Sequence, residues 1–265
     1  MKALIFAGGL GTRIRSLQPG LPKPLIRVGA LPVVAHVMTI YARNGIQDII
    51  VLGGYKVEMI KEFLSGHSQC EPLERAGAWQ FRNTCFEGGP PCTVTLLDTG
   101  RDTETGGRLF MAKDMVRGER FCLTYGDSLV DFDLARSVRI LEAESALGVL
   151  CGYRLPFSYG ALSLDGNRVT GFAEKSLNVF VNAGFYVLQP AVLDYVMHRE
   201  CSFERDVLPG LASQGSLAAD LGVRFWHPMD TPSDHADLSA ITTRTIRACH
   251  GFENNRISAR EDRFG

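Results

Sequence analysis

The sequence predicts an α/β fold with a mostly parallel central sheet, and three observations support this. First, residues 3–7 are continuously apolar, as in a strand buried on both faces. Second, apolar residues recur at helical spacing across residues 32–43, where Pro32 suits the first helical turn. Third, residues 49–52 and 57–64 repeat the order of a buried strand followed by a helix. Such alternation is typical of parallel sheets covered by helices.

The rest of the chain continues this alternation less regularly. Asp165-Gly166-Asn167 is predicted to be the turn of a hairpin between residues 160–164 and 169–174. Residues 65–92 carry scattered Gly, Pro, Cys and aromatic residues, and we expect a loop or a short hairpin there. Further strands are predicted at residues 94–97, 121–125, 146–153, 179–188 and 223–229, and further helices at residues 105–115, 190–197 and from about residue 233.

Length and composition exclude several classes of protein. The chain has 265 residues, 45% of them hydrophobic, which suits one domain over residues 1–250 with a polar tail over residues 251–265. The net charge of −1 predicts no general attraction to nucleic acids or anionic membranes. The N-terminal apolar run is too short for a signal peptide, and no run reaches the length of a membrane span. Seven irregularly spaced cysteines without C-x-x-C indicate reduced thiols, and we expect a cytoplasmic protein.

A glycine-rich segment follows the first strand. Residues 8–13 read Gly-Gly-Leu-Gly-Thr-Arg, and Lys23 follows between two prolines. Glycines let backbone N–H groups approach an anion, and a Thr hydroxyl and an Arg guanidinium are further phosphate ligands. The segment fits neither G-x-G-x-x-G, because Ile14 occupies the third glycine position, nor the P-loop pattern. An ordinary tight turn is the alternative, but Thr12, Arg13 and Lys23 together favour a phosphate-binding loop.

Two acidic residues follow predicted strands in other parts of the chain. Asp127 follows the strand at residues 121–125, and Asp230 follows the strand at residues 223–229. Ligands of α/β proteins bind at the carboxyl ends of the strands, where two converging carboxylates would hold Mg²⁺ together with phosphate oxygens. The alternative is that each Asp caps the next helix, a common role for a single Asp. Their separation along the sequence leaves this choice open.

Glu174 and Lys175 form a third candidate group, which the segment Asn182-Ala183-Gly184 follows. An acidic and a basic residue side by side on a strand are usually part of a solvent-exposed edge. From the residues alone, that interpretation is favoured over a binding role.

The candidate residues belong to longer motifs that follow one another along residues 1–238. These motifs are LIFAGGLGTR (4–13), PKPL (22–25), LGGYK (52–56), VTLLDTGRDTETGGRL (94–109), FCLTYGDSLVD (121–131), YGAL (159–162), EK (174–175), NAGFYVL (182–188) and FWHPMDT (225–231). Together they resemble the sugar-phosphate nucleotidylyltransferase family. The first two motifs are specific to the family as a whole, and the DTG…TGGRL, TYGD and FW-x-PMDT blocks resemble its glucose-1-phosphate cytidylyltransferase branch.

The resemblance implies a Rossmann-like fold with a mixed, mostly parallel central sheet flanked by helices. It also implies a set of roles for individual residues. The nucleotide-binding residues would be Gly8, Gly9, Gly11, Thr12, Arg13, Lys23, Gly106, Gly107 and Arg108. The sugar-phosphate-binding residues would be Tyr159, Gly160, Glu174, Lys175 and Asn182. Arg13, Lys23 and Asp127 would be catalytic, and Asp127 and Asp230 would bind the cofactor Mg²⁺.

The implied reaction transfers CMP from CTP to α-D-glucose 1-phosphate and releases pyrophosphate. The attacking oxygen of the sugar phosphate is already anionic, so no general base is required. The obstacle is repulsion between two anions, which Lys23, Arg13 and Mg²⁺ would offset while they align the in-line attack. We expect the binding partners to be these small-molecule substrates. We also expect the protein to form a homo-oligomer.

The sequence departs from this branch on the sugar side. After Glu174-Lys175, the segment 176–181 lacks the Pro, Gly-rich stretch and Trp of the branch, and the Arg expected before YGAL is replaced. A different sugar phosphate or a different NTP is therefore an alternative with the same reaction. A non-catalytic nucleotide-sensing subunit is disfavoured by the joint presence of four charged residues, Arg13, Lys23, Asp127 and Asp230. A nicotinamide-dependent oxidoreductase is disfavoured by the missing third glycine.

Overall fold

The computed structural model describes residues 1–14, 17–75, 77–86, 89–155, 160–174 and 179–241. In chain order the strands are β1 (Lys2–Ala7), β2 (Arg27–Val28), β3 (Leu31–Pro32), β4 (Asp48–Gly53), β5 (Gln69–Pro72), β6 (Ala78–Thr84), β7 (Cys92–Asp98), β8 (Phe121–Tyr125), β9 (Ser128–Val130), β10 (Gly148–Leu155), β11 (Ala161–Asp165), β12 (Arg168–Ala173), β13 (Val179–Leu188), β14 (Leu217–Val223) and β15 (Trp226–Pro228). The α-helices are α1 (Val33–Arg43), α2 (Val57–Ser65), α3 (Thr105–Ala112), α4 (Leu134–Ala143), α5 (Leu208–Ser213) and α6 (Pro232–Ala240). Short 3₁₀ helices span Lys23–Leu25, Lys113–Met115 and Pro190–Tyr195, and a π-helical turn spans Phe203–Val207.

The central sheet has the strand order β14-β10-β13-β8-β1-β4-β7-β6-β5. Parallel pairs join β8, β1, β4 and β7 at the centre, and β10 is parallel to β14. Strand β13 is antiparallel to both of its neighbours, as β6 is to β7 and β5. The mixed sheet flanked by helices is therefore confirmed, and its parallel centre carries the strands that precede the glycine-rich segment and Asp127.

Two hydrophobic cores lie on opposite faces of this sheet, which explains the continuously apolar first strand. Ile5 of β1 packs in one core with Tyr41 of α1. Leu4 of the same strand packs in the other core with Leu109 of α3. Because successive side chains of a strand point to opposite faces, both sets of residues in β1 must be apolar. Among the described residues, no helix is long and apolar enough to cross a bilayer.

Several predicted elements differ from the structure. The segment expected to be a loop or short hairpin contains β5 and β6, which extend the central sheet. Only Ala78, Phe81 and Thr84 of β6 are buried, so the strand has a weak apolar pattern. The helices predicted at residues 105–115 and 190–197 contain 3₁₀ segments, and α4 and α5 were missed.

The prediction of one strand over residues 223–229 is also wrong, because this range contains the end of one strand and the whole of another. Strand β14 ends at Val223, and β15 begins at Trp226 in a separate two-stranded sheet with β9. Asp131 explains the interruption, because its carboxylate accepts hydrogen bonds from the backbone N–H groups of Arg224 and Phe225. The tail predicted at residues 251–265 lies outside the described residues.

Candidate active site

A polar cleft opens at the carboxyl ends of β1 and β8. Its lining includes five of the nine residues predicted to bind the nucleotide and both predicted metal ligands. They are Gly9, Gly11, Thr12, Arg13, Lys23, Asp127 and Asp230. Residues far apart in the sequence therefore meet where α/β proteins commonly bind ligands.

Lys23 is the centre of this cleft. Its Nζ lies 2.6 Å from Asp127 Oδ2 and 2.6 Å from Asp230 Oδ1, and its side chain is only 12% exposed. Burial opposes the charge of Lys23, but the two carboxylates outweigh this effect, and the pKa of Lys23 lies above its usual value. The ammonium group therefore stays charged at neutral pH beside two carboxylates.

Local structure explains why Lys23 has this position. Pro22 and Pro24 flank it, and the 3₁₀ helix Lys23–Leu25 closes with a 2.9 Å hydrogen bond from Leu25 N to Pro22 O. Pro24 and Leu25 are buried, which fixes the turn against the core. Proline also restricts the backbone, so the lysine approaches the cleft from a stiff support.

The pairing of β9 with β15 brings the two aspartates together. Pro228 is the partner of Ser128 in this small sheet, and Met229 N donates to Asp127 O at 2.9 Å. Asp127 and Asp230 each adjoin one of these pairs, so their carboxylates converge on Lys23 Nζ. Three-residue strands of this kind leave almost no pattern in a sequence.

The alternative in which each Asp caps the next helix does not describe these two residues. Thr231, rather than Asp230, is the N-cap of α6, and it forms a capping box with Asp234. Asp127 is followed by strand β9 rather than by a helix. Both carboxylates are therefore available to the cleft.

The loop after β1 has glycines for different reasons. Gly9 faces open space, because a Cβ at this position would meet nothing within 4 Å. Gly11 has a φ of +58°, and a Cβ there would lie 2.8 Å from the Cβ of Lys23. A side chain at position 11 would therefore strain the backbone and push against the lysine. Arg13 lies at the open rim, 73% exposed, with its Nη2 3.5 Å from Asp230 Oδ1.

Arg108, which is predicted to bind the nucleotide, lies beneath this loop, and its contact with the nucleotide stays a prediction. It is 4% exposed. Its guanidinium donates to the carbonyl oxygens of Gly8 at 3.1 Å, Gly53 at 3.0 Å and Gly100 at 2.9 Å. Arg108 thus joins three strand-end loops, and it supports the glycine-rich segment from behind.

Gly106 and Gly107 also have a packing role that sequence reasoning missed. A Cβ at Gly106 would lie 2.5 Å from Cys201 Sγ, and a Cβ at Gly107 would clash with the carbonyl of Arg199. Gly107 N donates to Cys201 O at 3.0 Å. The two glycines therefore let residues 199–201 pack closely against the start of α3. Their predicted contact with the nucleotide stays a prediction.

The predicted sugar-phosphate side lies at the hairpin β11–β12 and on β13. A Cβ at Gly160 would lie 3.1 Å from Glu174 Oε2, so these two residues adjoin each other at the ends of the hairpin. Asn182 donates from Nδ2 to Tyr186 Oη at 2.5 Å, and its Oδ1 accepts from Gly184 N at 2.9 Å. Tyr159 and Lys175 lie outside the described residues, so their predicted roles stay predictions.

Two further residues support the site and were not predicted to do so. Tyr125, the last residue of β8, donates a hydrogen bond from its hydroxyl to Glu204 on the π-helical turn. Glu204 also accepts from Thr105 Oγ1 at 2.6 Å. In the sequence, the TYGD motif was the only signal for Tyr125, and nothing distinguished Glu204 from other surface acids.

Two carboxylates in the cleft, those of Asp127 and Asp230, could bind a metal ion. Among the described residues, no cluster of three or more His, Cys, Asp or Glu side chains could hold a metal ion. Asp127 and Asp230 already hold one cation, the Lys23 ammonium, between them. Mg²⁺ is commonly bound by one or two carboxylates, with water and substrate phosphates as its other ligands, so this donor set fits it.

Comparisons with known proteins show which family this sequence matches. The family model for nucleotidyl transferases matches residues 2–243. The glucose-1-phosphate cytidylyltransferase of Salmonella typhi is 35% identical over 245 residues, which cover 91% of this chain and 95% of that protein. The probable glucose-1-phosphate cytidylyltransferase of Bacillus subtilis is 34% identical over 243 residues, covering 87% of this chain and 92% of that protein.

A solved structure supports the fold. The crystal structure of HddC from Yersinia pseudotuberculosis superimposes with a TM-score of 0.64 and covers 95% of this chain and 99% of that one. The two sequences are 23% identical, so the likeness concerns the architecture alone.

Proposed function

The chain belongs to the nucleotidyl transferase family, and we propose on this basis that it transfers CMP from CTP to α-D-glucose 1-phosphate. The observation that carries the proposal is the buried Lys23, held by Asp127 and Asp230 beside the glycine-rich loop. This arrangement places positive charge and open backbone at the carboxyl ends of central strands. The glucose-1-phosphate cytidylyltransferases of Salmonella typhi and Bacillus subtilis support the choice of substrates.

The chemistry needs charge and alignment rather than proton transfer. An oxygen of the sugar phosphate attacks the α-phosphorus of CTP, a new P–O bond forms, and the bond to the β-phosphate oxygen breaks. Pyrophosphate leaves with the electron pair, so the atoms balance without a general base. Lys23 would stabilise the negative charge that gathers at the α-phosphate.

The loop after β1 would bind the nucleotide phosphates. Open backbone at Gly9 lets N–H groups face the anion, as in other glycine-rich phosphate loops. Arg13 at the exposed rim would add a planar pair of donors that suits phosphate oxygens. Arg108 would keep this loop in place through its bond to the Gly8 carbonyl.

Mg²⁺ is the cofactor that we propose for this site, with Asp127 and Asp230 as its protein ligands. When bound, Mg²⁺ would neutralise phosphate charge and orient the triphosphate. The contacts of both carboxylates with Lys23 support this placement, since they show that the pair can surround a cation. Lys23 would then exchange one or both of these contacts for phosphate oxygens.

We also propose a homo-oligomer in the cytoplasm. Four apolar side chains form one face of the hairpin, where Leu162 pairs with Phe172 and Leu164 pairs with Val169, and all four are exposed. Exposed apolar patches often mark protein contacts, and a second copy of the chain is the partner that we propose. Light scattering would test this, since a monomeric mass at micromolar concentration would contradict it.

A pyrophosphate-release assay tests the proposed reaction. CTP, UTP, GTP and dTTP would each be combined with glucose 1-phosphate and with other sugar 1-phosphates, and kcat/KM would be compared. We expect CTP with glucose 1-phosphate to give the highest value. A tenfold preference for another NTP would overturn the assignment of CTP. Turnover of another sugar phosphate with none of glucose 1-phosphate would leave the reaction class standing and overturn the sugar.

A further inference from the structure

The carboxylate of Glu204 accepts hydrogen bonds from three hydroxyl groups near the end of β8. Its Oε1 accepts from the Tyr125 hydroxyl, and its Oε2 accepts from Thr105 Oγ1 at 2.6 Å and from Ser202 Oγ at 2.9 Å. An ionised carboxylate only accepts hydrogen bonds, so every hydroxyl in this group must donate to it. Glu204 stands on the π-helical turn Phe203–Val207, a rare geometry that often occurs at functional sites.

The direction of these bonds continues across the sheet. Because Tyr125 Oη donates to Glu204, its oxygen can accept from Tyr186 Oη, 3.5 Å away. Tyr186 in turn accepts from Asn182 Nδ2 at 2.5 Å. Burial raises the pKa of Tyr186 to about 12, so its hydroxyl keeps its proton at neutral pH. The chain of donors therefore runs from Asn182 through two tyrosines to Glu204.

The Asn182 amide has one orientation that fits both of its neighbours, because Gly184 N–H can only donate and the direction of the tyrosine chain makes Tyr186 an acceptor. The Nδ2 group is committed to Tyr186, and Oδ1 accepts from Gly184 N at 2.9 Å. An asparagine amide can turn over by 180°, and only one of the two orientations satisfies both neighbours. Among the described residues the Asn182 side chain has these two partners, so the second N–H of Nδ2 and a lone pair of Oδ1 have fixed directions in which a ligand would bind.

We propose that Glu204 is a positioning residue that holds the Asn182 amide in this orientation through Tyr125 and Tyr186. The inference rests on the proposed function, in which Asn182 contacts the sugar phosphate. It also gives a reason for the close packing at Gly106 and Gly107, since that packing brings the segment with Glu204 against α3. Glu204 itself is not among the residues that line the cleft around Lys23.

A double-mutant cycle tests the proposal. Glu204→Ala, Asn182→Ala and the double variant would be compared with the wild type for kcat and for the KM of each substrate. We expect Glu204→Ala to raise the KM for the sugar phosphate about tenfold, the equivalent of about 1.4 kcal/mol. The KM for the nucleotide should stay within about twofold, because the change concerns binding of one substrate. In the Asn182→Ala background, Glu204→Ala should have little further effect.

Two further variants sharpen the test. Glu200→Ala removes the same side chain type four positions earlier, where it is 83% exposed, and it should leave both KM values unchanged. Tyr125→Phe interrupts the hydrogen-bonded chain but keeps the ring, and it should raise the KM for the sugar phosphate as Glu204→Ala does. It therefore tests the proposal even if Glu204→Ala does not fold. Circular dichroism and thermal melting would confirm that each variant compared is folded.

The outcomes separate this inference from the proposed function. Additive effects of Glu204→Ala and Asn182→Ala, or an equal rise in both KM values, would contradict the positioning role. Unchanged KM values in folded Glu204→Ala and Tyr125→Phe, with an active wild type, would overturn this inference alone. If the wild type turned over no combination of NTP and sugar phosphate, the proposed function would fail and this inference with it.

Discussion

The two sides of the candidate site are held in the fold in different ways. On the nucleotide side, β1 and β8 are paired on both edges within the central sheet, and Lys23 is buried between two carboxylates. On the sugar side, Asn182 lies on β13 of the central sheet, but Gly160 and Glu174 lie at the ends of a hairpin whose strands, in the part of the chain that the structure describes, pair only with each other. The apolar face of that hairpin is exposed, with Phe172 at 65%.

This difference suits the proposed tasks of the two sides, which are catalysis on the nucleotide side and recognition of the sugar on the other. Stabilising a transition state requires groups held within a fraction of an ångström, which central strands provide. A surface hairpin tolerates changes of sequence, so it can adapt to different sugars without moving the reacting groups. Substitutions on the nucleotide side should therefore lower kcat, whereas substitutions on the sugar side should mainly raise one KM.

Removal of the divalent metal should have the largest effect. We expect EDTA to abolish turnover and Mg²⁺ or Mn²⁺ to restore it, because Asp127 and Asp230 offer hard oxygen ligands to a hard cation. Steady-state rates before and after dialysis, with circular dichroism to follow the fold, would measure this. Full activity after exhaustive chelation would exclude the metal.

Loss of the lysine should come next. We expect Lys23→Ala to lower kcat at least about 100-fold, since removing one group that stabilises charge at the reacting centre typically costs a few kcal/mol. Asp127→Ala should have an effect of similar size. Arg117→Ala removes an exposed cation that does not line the cleft, and it should leave kcat unchanged. Rates near those of the wild type in Lys23→Ala would remove this residue from the mechanism.

A methyl group in the glycine loop should have a smaller effect. Gly11→Ala places a Cβ at a φ of +58° and 2.8 Å from the Cβ of Lys23, so we expect kcat to fall about tenfold as the lysine shifts. Gly29→Ala is a matched control, because Gly29 has a φ of +64° with nothing within 4 Å of its Cβ position. Both variants carry backbone strain, but only the first disturbs Lys23. Equal kcat values in the two would show that the contact is irrelevant.

The smallest effect is expected on the hairpin. The ring of Phe172 packs 2.6 Å from the Cβ position of Gly160, so Phe172→Ala should raise the KM for the sugar phosphate by about threefold, less than the roughly tenfold or more of a buried apolar contact because Phe172 is 65% exposed. Leu164→Ala changes the same exposed face away from Gly160 and should not affect this KM. A fall in kcat for Phe172→Ala with the KM unchanged would contradict the division between the two sides.

The same contrast explains how much could be predicted from the sequence. The first strand, α1 and the glycine-rich loop have strong local patterns, and the structure has them at the predicted positions. The weakly apolar β6 does not, because it lies near an edge of the sheet and buries few residues. Edge strands depend on their neighbours for stability more than on their own composition.

Residues whose roles depend on tertiary contacts could be predicted only in part. The motifs indicated Asp127 and Asp230, but their convergence depends on the pairing of β9 with β15. Arg108 was expected in the nucleotide pocket, and its burial beneath three loops follows from how those loops meet. Glu204 had no signal, since a π-helical turn has no sequence pattern of its own.

Phosphorus NMR of the complete reaction tests the central claim most directly. The wild-type enzyme would be incubated with Mg²⁺, CTP and glucose 1-phosphate, and Lys23→Ala would be followed in parallel. We expect the CTP signals to be replaced by those of a nucleoside diphosphate sugar and of pyrophosphate in equal amounts, with no comparable change in Lys23→Ala. Release of inorganic phosphate in place of pyrophosphate, or the same rate in both proteins, would contradict nucleotidyl transfer at this lysine.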